Sequence, residues 1–146
     1  MNASAAAVIL GGLAIAGGAG LPWAAFNDPL SSTVFSSSGF ELGYGRVTAV
    51  LGLVLAVLGL RAARRDLSSR IIASAASMAA VVMIVVSAAI VDLCVRGSYP
   101  SFPSIRFLEP DLGGPTTGLG AGLVLAACWR LWRRKALDRS SAQKGT

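Results

Sequence analysis

The chain has few residues able to do chemistry. Its 146 residues include no histidine, two cysteines and seven carboxylates against thirteen Lys and Arg. Without His there is no bis-histidine haem ligation and no imidazole for acid–base work or a proton relay. No CxxC, HExxH, GxSxG or P-loop pattern occurs. The ionisable residues of most interest are Arg46, Asp92 and Arg96, near one end of the apolar segments, with Glu41 and Asp111 in the adjoining loops. An Arg46–Asp92 pair would lower the cost of holding both charges just inside apolar helices, and it would pin two hairpins together. Its ordinary reading is an interfacial salt bridge with snorkelling arginines. Its functional reading is a site for a polar head group or a partner loop. Both are binding roles: no catalytic residue, cofactor or metal is expected, and the chain reads as a non-enzyme.

Four apolar stretches must position these residues, at approximately 5–25, 44–60, 71–95 and 115–132. About 20 apolar residues cross the roughly 30 Å of bilayer hydrocarbon. The composition agrees, at 54% hydrophobic and 14% charged where a soluble domain carries about 25% charged residues. The first stretch lacks the positively charged start of a signal peptide and reads as a retained helix. Arg61, Arg64, Arg65 and Arg70 lie between the second and third stretches, and Arg130, Arg133, Arg134, Lys135, Arg139 and Lys144 at or beyond the end of the fourth. The positive-inside rule then puts both termini and the basic linker in the cytoplasm. The net charge of +6 reads as a topology signal and a contact for anionic lipid head groups at the cytoplasmic face, not as a nucleic-acid surface. The expected fold is an all-α membrane protein, a single four-transmembrane-helix bundle over 1–146 with a basic tail at 133–146. Trp23 and Tyr44 flank the first outer loop, and Trp129 and Trp132 the inner end of the fourth helix. Cys94 and Cys128 fall at opposite ends of the bundle, too far apart for a disulfide.

Shifted by 70 positions, the chain matches itself without gaps. ASAA at 3–6 recurs at 73–76, Glu41-Leu42-Gly43 aligns with Asp111-Leu112-Gly113, and GLVLA at 52–56 recurs at 122–126. This predicts two parallel-repeat hairpins, 1–70 and 71–140, about an axis along the membrane normal. The alternative is that two helical hairpins of similar composition look alike by convergence.

Helices in lipid associate through small residues that let backbones approach. Gly45, Ala49, Gly52, Ala56 and Gly59 form such a ridge on the second helix, and Gly114, Gly118, Gly122 and Ala126 on the fourth, with Gly12, Ala16 and Gly20 on the first. These ridges pack the monomer, or one of them faces a partner. The first outer loop alternates Ser/Thr with apolar residues and predicts a short hairpin with Ser38-Gly39 near its turn. The second, stiffened by Pro100, Pro103 and Pro110, exposes Tyr99, Phe102 and Phe107. The two loops either form one small extracytoplasmic cap or dock on another protein.

The Leu21-Pro22-Trp23 exit from the first helix and the Gly43-Tyr44-Gly45-Arg46 entry to the second resemble small four-helix membrane proteins of high-GC actinobacteria, as do the Ala/Val/Leu/Gly spans ending in Arg clusters. The resemblance implies accessory subunits of envelope complexes and supplies no catalytic residue. The expected function is a non-catalytic accessory, stabilising or regulatory subunit of a larger membrane complex, of lipid-importer or respiratory type. The alternative is a small oligomeric channel or carrier. No ionisable residue lies at the membrane midplane, which disfavours ion coupling and favours a hydrophobic or lipid-like solute.

Overall fold

The structure, a computed structural model, describes residues 3–27, 34–64, 69–97 and 108–144. Four helices carry most of them: α1 (Ala3–Gly20), α2 (Tyr44–Arg64), α3 (Ser69–Gly97) and α4 (Gly113–Lys144). Three short strands lie between: β1 (Pro22–Asn27), β2 (Val34–Ser38) and β3 (Leu108–Pro110).

Helix α1 stops at Gly20, short of the expected residue 25. Pro22 cannot donate to a helical ladder, and it pushes Leu21 out of the α region. The chain turns there, with the Leu21 amide bonded to the Gly18 carbonyl at 3.2 Å, and continues as β1. Helix α2 runs past residue 60 to Arg64, with Arg61 and Arg64 in its last turn, where cations suit the negative end of the helix dipole. Helix α4 continues through the basic segment to Lys144, a total of 32 residues.

Three helical segments are long and apolar enough to cross a membrane: Ala3–Gly20, Tyr44–Arg64 and Arg70–Asp92. This is the pattern of a membrane protein. The fourth expected segment is not among them. Gly and Thr residues at the start of α4 and arginines toward its end dilute the apolar run at 119–128.

Helix α1 packs chiefly against α2 and α4, while α3 leans on α4 and more lightly on α2. The buried residues of α1, which include Val8, Gly11, Gly12, Ile15 and Gly18, lie on more than one face, as befits a helix with neighbours on two sides. Leu55 of α2, Val82 of α3 and Val124 of α4 join Ile15 in the core, each fully buried. The two hairpins do not pack alike. Gly52 is pressed against α1, whereas Gly122, its counterpart at the offset of 70, has no neighbour within reach of an added Cβ. Gly12, which meets Gly52, has Val82 as its own counterpart at that offset, a branched side chain where the first hairpin has none.

The strands form one antiparallel sheet in the order β2-β1-β3. The predicted hairpin in the first loop is present, with Ala25 opposite Ser36. Asn27 pairs with Val34 and Pro22 with Ser38, so Ser38-Gly39 is not its turn. Those two residues end β2 and lead into α2. Strand β3, from the second loop, pairs with β1 and sets Glu109 opposite Ala25. The two loops thus share a sheet over the helix ends. Tyr99, Phe102 and Phe107 lie outside the described residues.

Candidate functional site

Three places could bind something: the carboxylate at the sheet end of α3, the small-residue ridges, and a groove between α3 and α4.

At the sheet end, Tyr44 Oη donates to Asp92 Oδ2 at 3.1 Å, across α2 and α3. Tyr44 sits at the start of α2 because the chain before it makes a single capped turn. The Ser38 amide bonds Glu41 Oε2 at 3.0 Å and the Glu41 amide bonds Ser38 Oγ at 3.4 Å, the reciprocal pattern of a capping box. Gly43 closes that turn at φ +84°, in the left-handed region where a Cβ is disfavoured. Arg46, the partner expected for Asp92, is exposed. Tyr44, two residues before Arg46, thus makes one tie between α2 and α3 at this carboxylate. Arg96 lies one turn past Asp92 on α3, its side chain outside the described residues, as is that of Cys94. Among the described residues, no three His, Cys, Asp or Glu side chains gather in a way that could hold a metal.

Trp23 anchors the sheet to the helices. It is 2% exposed, and its Nε1–H donates to the Gly18 carbonyl at 2.9 Å. A Cβ on Gly39 would lie 2.6 Å from Trp23 Nε1, and Gly113 is closer still to the indole. The indole thus fills a slot between two glycines instead of marking a membrane interface.

The α2 ridge is used up within the chain. A Cβ on Gly12 would lie 2.6 Å from the Ala56 nitrogen, one on Gly52 2.7 Å from the Ala16 nitrogen, and one on Gly59 2.9 Å from the Ile9 nitrogen. Gly45 meets the Gly39 backbone, and Ala49 is half-buried. The α4 ridge behaves differently. Gly114 and Gly122 have nothing within 4 Å of an added Cβ, Gly118 only Val86 Cγ1 at 3.9 Å, and Ala126 is exposed. Helix α4 instead packs on α1 through a neighbouring face. Gly18 of α1 lies against Thr117 and Gly113, and Gly11 against Gly120 and Val124. The spacing of seven in both Gly11/Gly18 and Gly113/Gly120 is the signal that marks this seam. Buried hydroxyls are satisfied locally. Thr48 Oγ1 donates to the Gly45 carbonyl at 3.1 Å and Thr117 Oγ1 to the Gly113 carbonyl at 2.8 Å.

The groove, about 910 Å³, lies between the first turns of α3 and the part of α4 before its basic run. Ile72, Ala73, Ala76, Leu125 and Ala126 give it apolar walls, and Arg70 stands at its edge. Trp129 and Trp132 close one side, their ring centroids 5.9 Å apart. Both are more than half exposed, and Cys128 beneath them is buried. No family model, curated protein or solved structure matches the chain.

Proposed function

We propose that the chain is a non-catalytic accessory subunit of a larger bacterial membrane complex, of lipid-importer or respiratory type, inserted by four spans with both ends cytoplasmic. The observation that carries this reading is the contrast between the two ridges. The α2 ridge is spent on α1, whereas the face of α4 that carries Gly118 and Gly122 is left without close contacts. Small residues in lipid earn their place by admitting another backbone. The fourth span is supported by the seam with α1, along which Gly11 and Gly18 both meet α4. A helix apposed over that length of a spanning helix shares its depth. A duplicated hairpin, 1–70 and 71–140, fits the self-alignment, with the second copy turned toward a partner instead of toward its own first helix.

The test is a mild-detergent pull-down of the tagged chain from native membranes with mass spectrometry. Stoichiometric co-purifying membrane proteins, lost on Gly122→Leu, support the reading; a lone species overturns it. The groove favours a second reading, a carrier for a lipid-like solute. Purified protein that moves no lipid faster than empty vesicles do removes that one.

A further inference from the structure

We infer that the groove between α3 and α4 is a binding site for an anionic phospholipid, with the acyl chains between the helices and the phosphate at Arg70. This does not depend on the accessory reading.

The walls and the rim have different chemistry. Ile72, Ala73, Ala76, Leu125 and Ala126 are apolar. Hydrocarbon is the natural occupant of such a surface inside a membrane, where water is absent. At the rim stand Arg70, in the first turn of α3, and Trp129 and Trp132, two amphipathic rings of the kind that settle at head-group depth. Arg133 follows Ala126 by seven residues and Trp129 by four, so helical spacing sets it on the same side of α4, one turn past the groove. Two guanidiniums thus flank the end of an apolar slot, and a guanidinium binds a phosphate through paired hydrogen bonds.

Size and shape favour a lipid over a partner helix here. The groove is at the upper end of the roughly 300–1,000 Å³ of small-molecule sites. Its walls include Leu125, Trp129 and Trp132, large side chains that hold a second backbone away. The stretch of α4 suited to a helix lies earlier, at Gly118 and Gly122. Arg70 also supplies what a general lipid-facing surface lacks, a reason to prefer one head group.

The experiment uses purified protein in vesicles of phosphatidylcholine containing brominated phosphatidylglycerol or, in the parallel series, brominated phosphatidylcholine. Bromine quenches indole fluorescence on close approach. Trp129 and Trp132 are 58% and 61% exposed and report the groove, while Trp23, 2% exposed, supplies a constant background. The expected result is stronger quenching by the anionic lipid at equal mole fraction, with a preference of about fivefold, the equivalent of about 1 kcal/mol for one cation near the head groups. Arg70→Gln with Arg133→Gln brings the preference to near one. Arg61→Gln, on the last turn of α2, leaves it in place. Ala76→Phe fills the slot and lowers quenching by both lipids, so the proposal stays testable if the arginine variants fail to keep wild-type helicity. Equal quenching by the two lipids overturns the proposal, as does a preference that survives loss of both arginines or disappears equally with Arg61→Gln. Quenching by neither lipid also overturns it and means that protein covers the groove.

Discussion

Gly12 and Gly52 meet backbone to backbone. A Cβ on Gly12 would lie 2.7 Å from the Gly52 carbonyl oxygen, and a Cβ on Gly52 would lie 2.7 Å from the Gly12 carbonyl oxygen. Each glycine leaves the space that the other backbone occupies. Gly11, next in the chain, does the same toward α4, where an added Cβ would lie 2.7 Å from the Gly120 carbonyl oxygen. Two consecutive glycines therefore set the distances from α1 to both its neighbours.

Gly52→Val should consequently destabilise the bundle more than Gly122→Val does. Overpacking a close contact costs about 1–3 kcal/mol, and here the obstacle is backbone, which cannot rotate away. At Gly122 the added methyls meet open space. Thermal unfolding in detergent, followed by circular dichroism, checks this. Equal loss at the two positions would mean that the two ridges do the same work.

Trp23→Phe should lower stability by about 1 kcal/mol through loss of the hydrogen bond to the Gly18 carbonyl. Trp23→Ala should cost about 3–5 kcal/mol because it also empties the slot between Gly39 and Gly113. A wild-type melting temperature for Trp23→Ala would contradict the buried anchor and restore the indole to the membrane interface.

Tyr44→Phe should loosen α3 by about 1 kcal/mol, since both groups are half-buried and water competes for the hydrogen bond. Arg46→Gln should leave stability within error. A double-mutant cycle joining Tyr44→Phe to Asp92→Asn should return coupling that a cycle with Arg46→Gln does not. Coupling to Arg46 alone would reinstate the ion pair that the charge pattern suggests.

That pair shows how far the sequence reads. Apolar runs and their basic ends located all four helices, and alternation in 26–43 located a hairpin but not its turn. Hydrophobicity, however, measures distance from water and not direction. It could not tell that Trp23 points inward, because an indole at a helix end fits an interface and a core equally well. It missed β3, a three-residue strand ending in Pro110 with too short a pattern to read. It also did not single out the face of α4 that packs on α1. A helix with glycines at 113, 114, 118, 120 and 122 carries several ridges, and only the position of α1 decides which one is a seam.

Topology is the remaining prediction, and it separates three spans from four. In a background of Cys94→Ser and Cys128→Ser, single cysteines would be placed by Ser36→Cys on the exposed part of β2, Ser68→Cys between α2 and α3, and Ser141→Cys near the end of α4. With four spans, an impermeant maleimide labels the first site in intact cells and reaches the other two only after permeabilisation. With three, the site at 141 is labelled from outside together with the site at 36. Arg130, Arg133, Arg134, Lys135, Arg139 and Lys144 face only Asp138 in that segment. An outward tail would carry this charge to the side that the positive-inside rule disfavours. It would also separate Gly120 of α4 from Gly11, halfway along α1, although an added Cβ on Gly120 lies only 2.7 Å from the Gly11 carbonyl oxygen. An inward tail is therefore the expected outcome, and labelling of the 141 site in intact cells would overturn it.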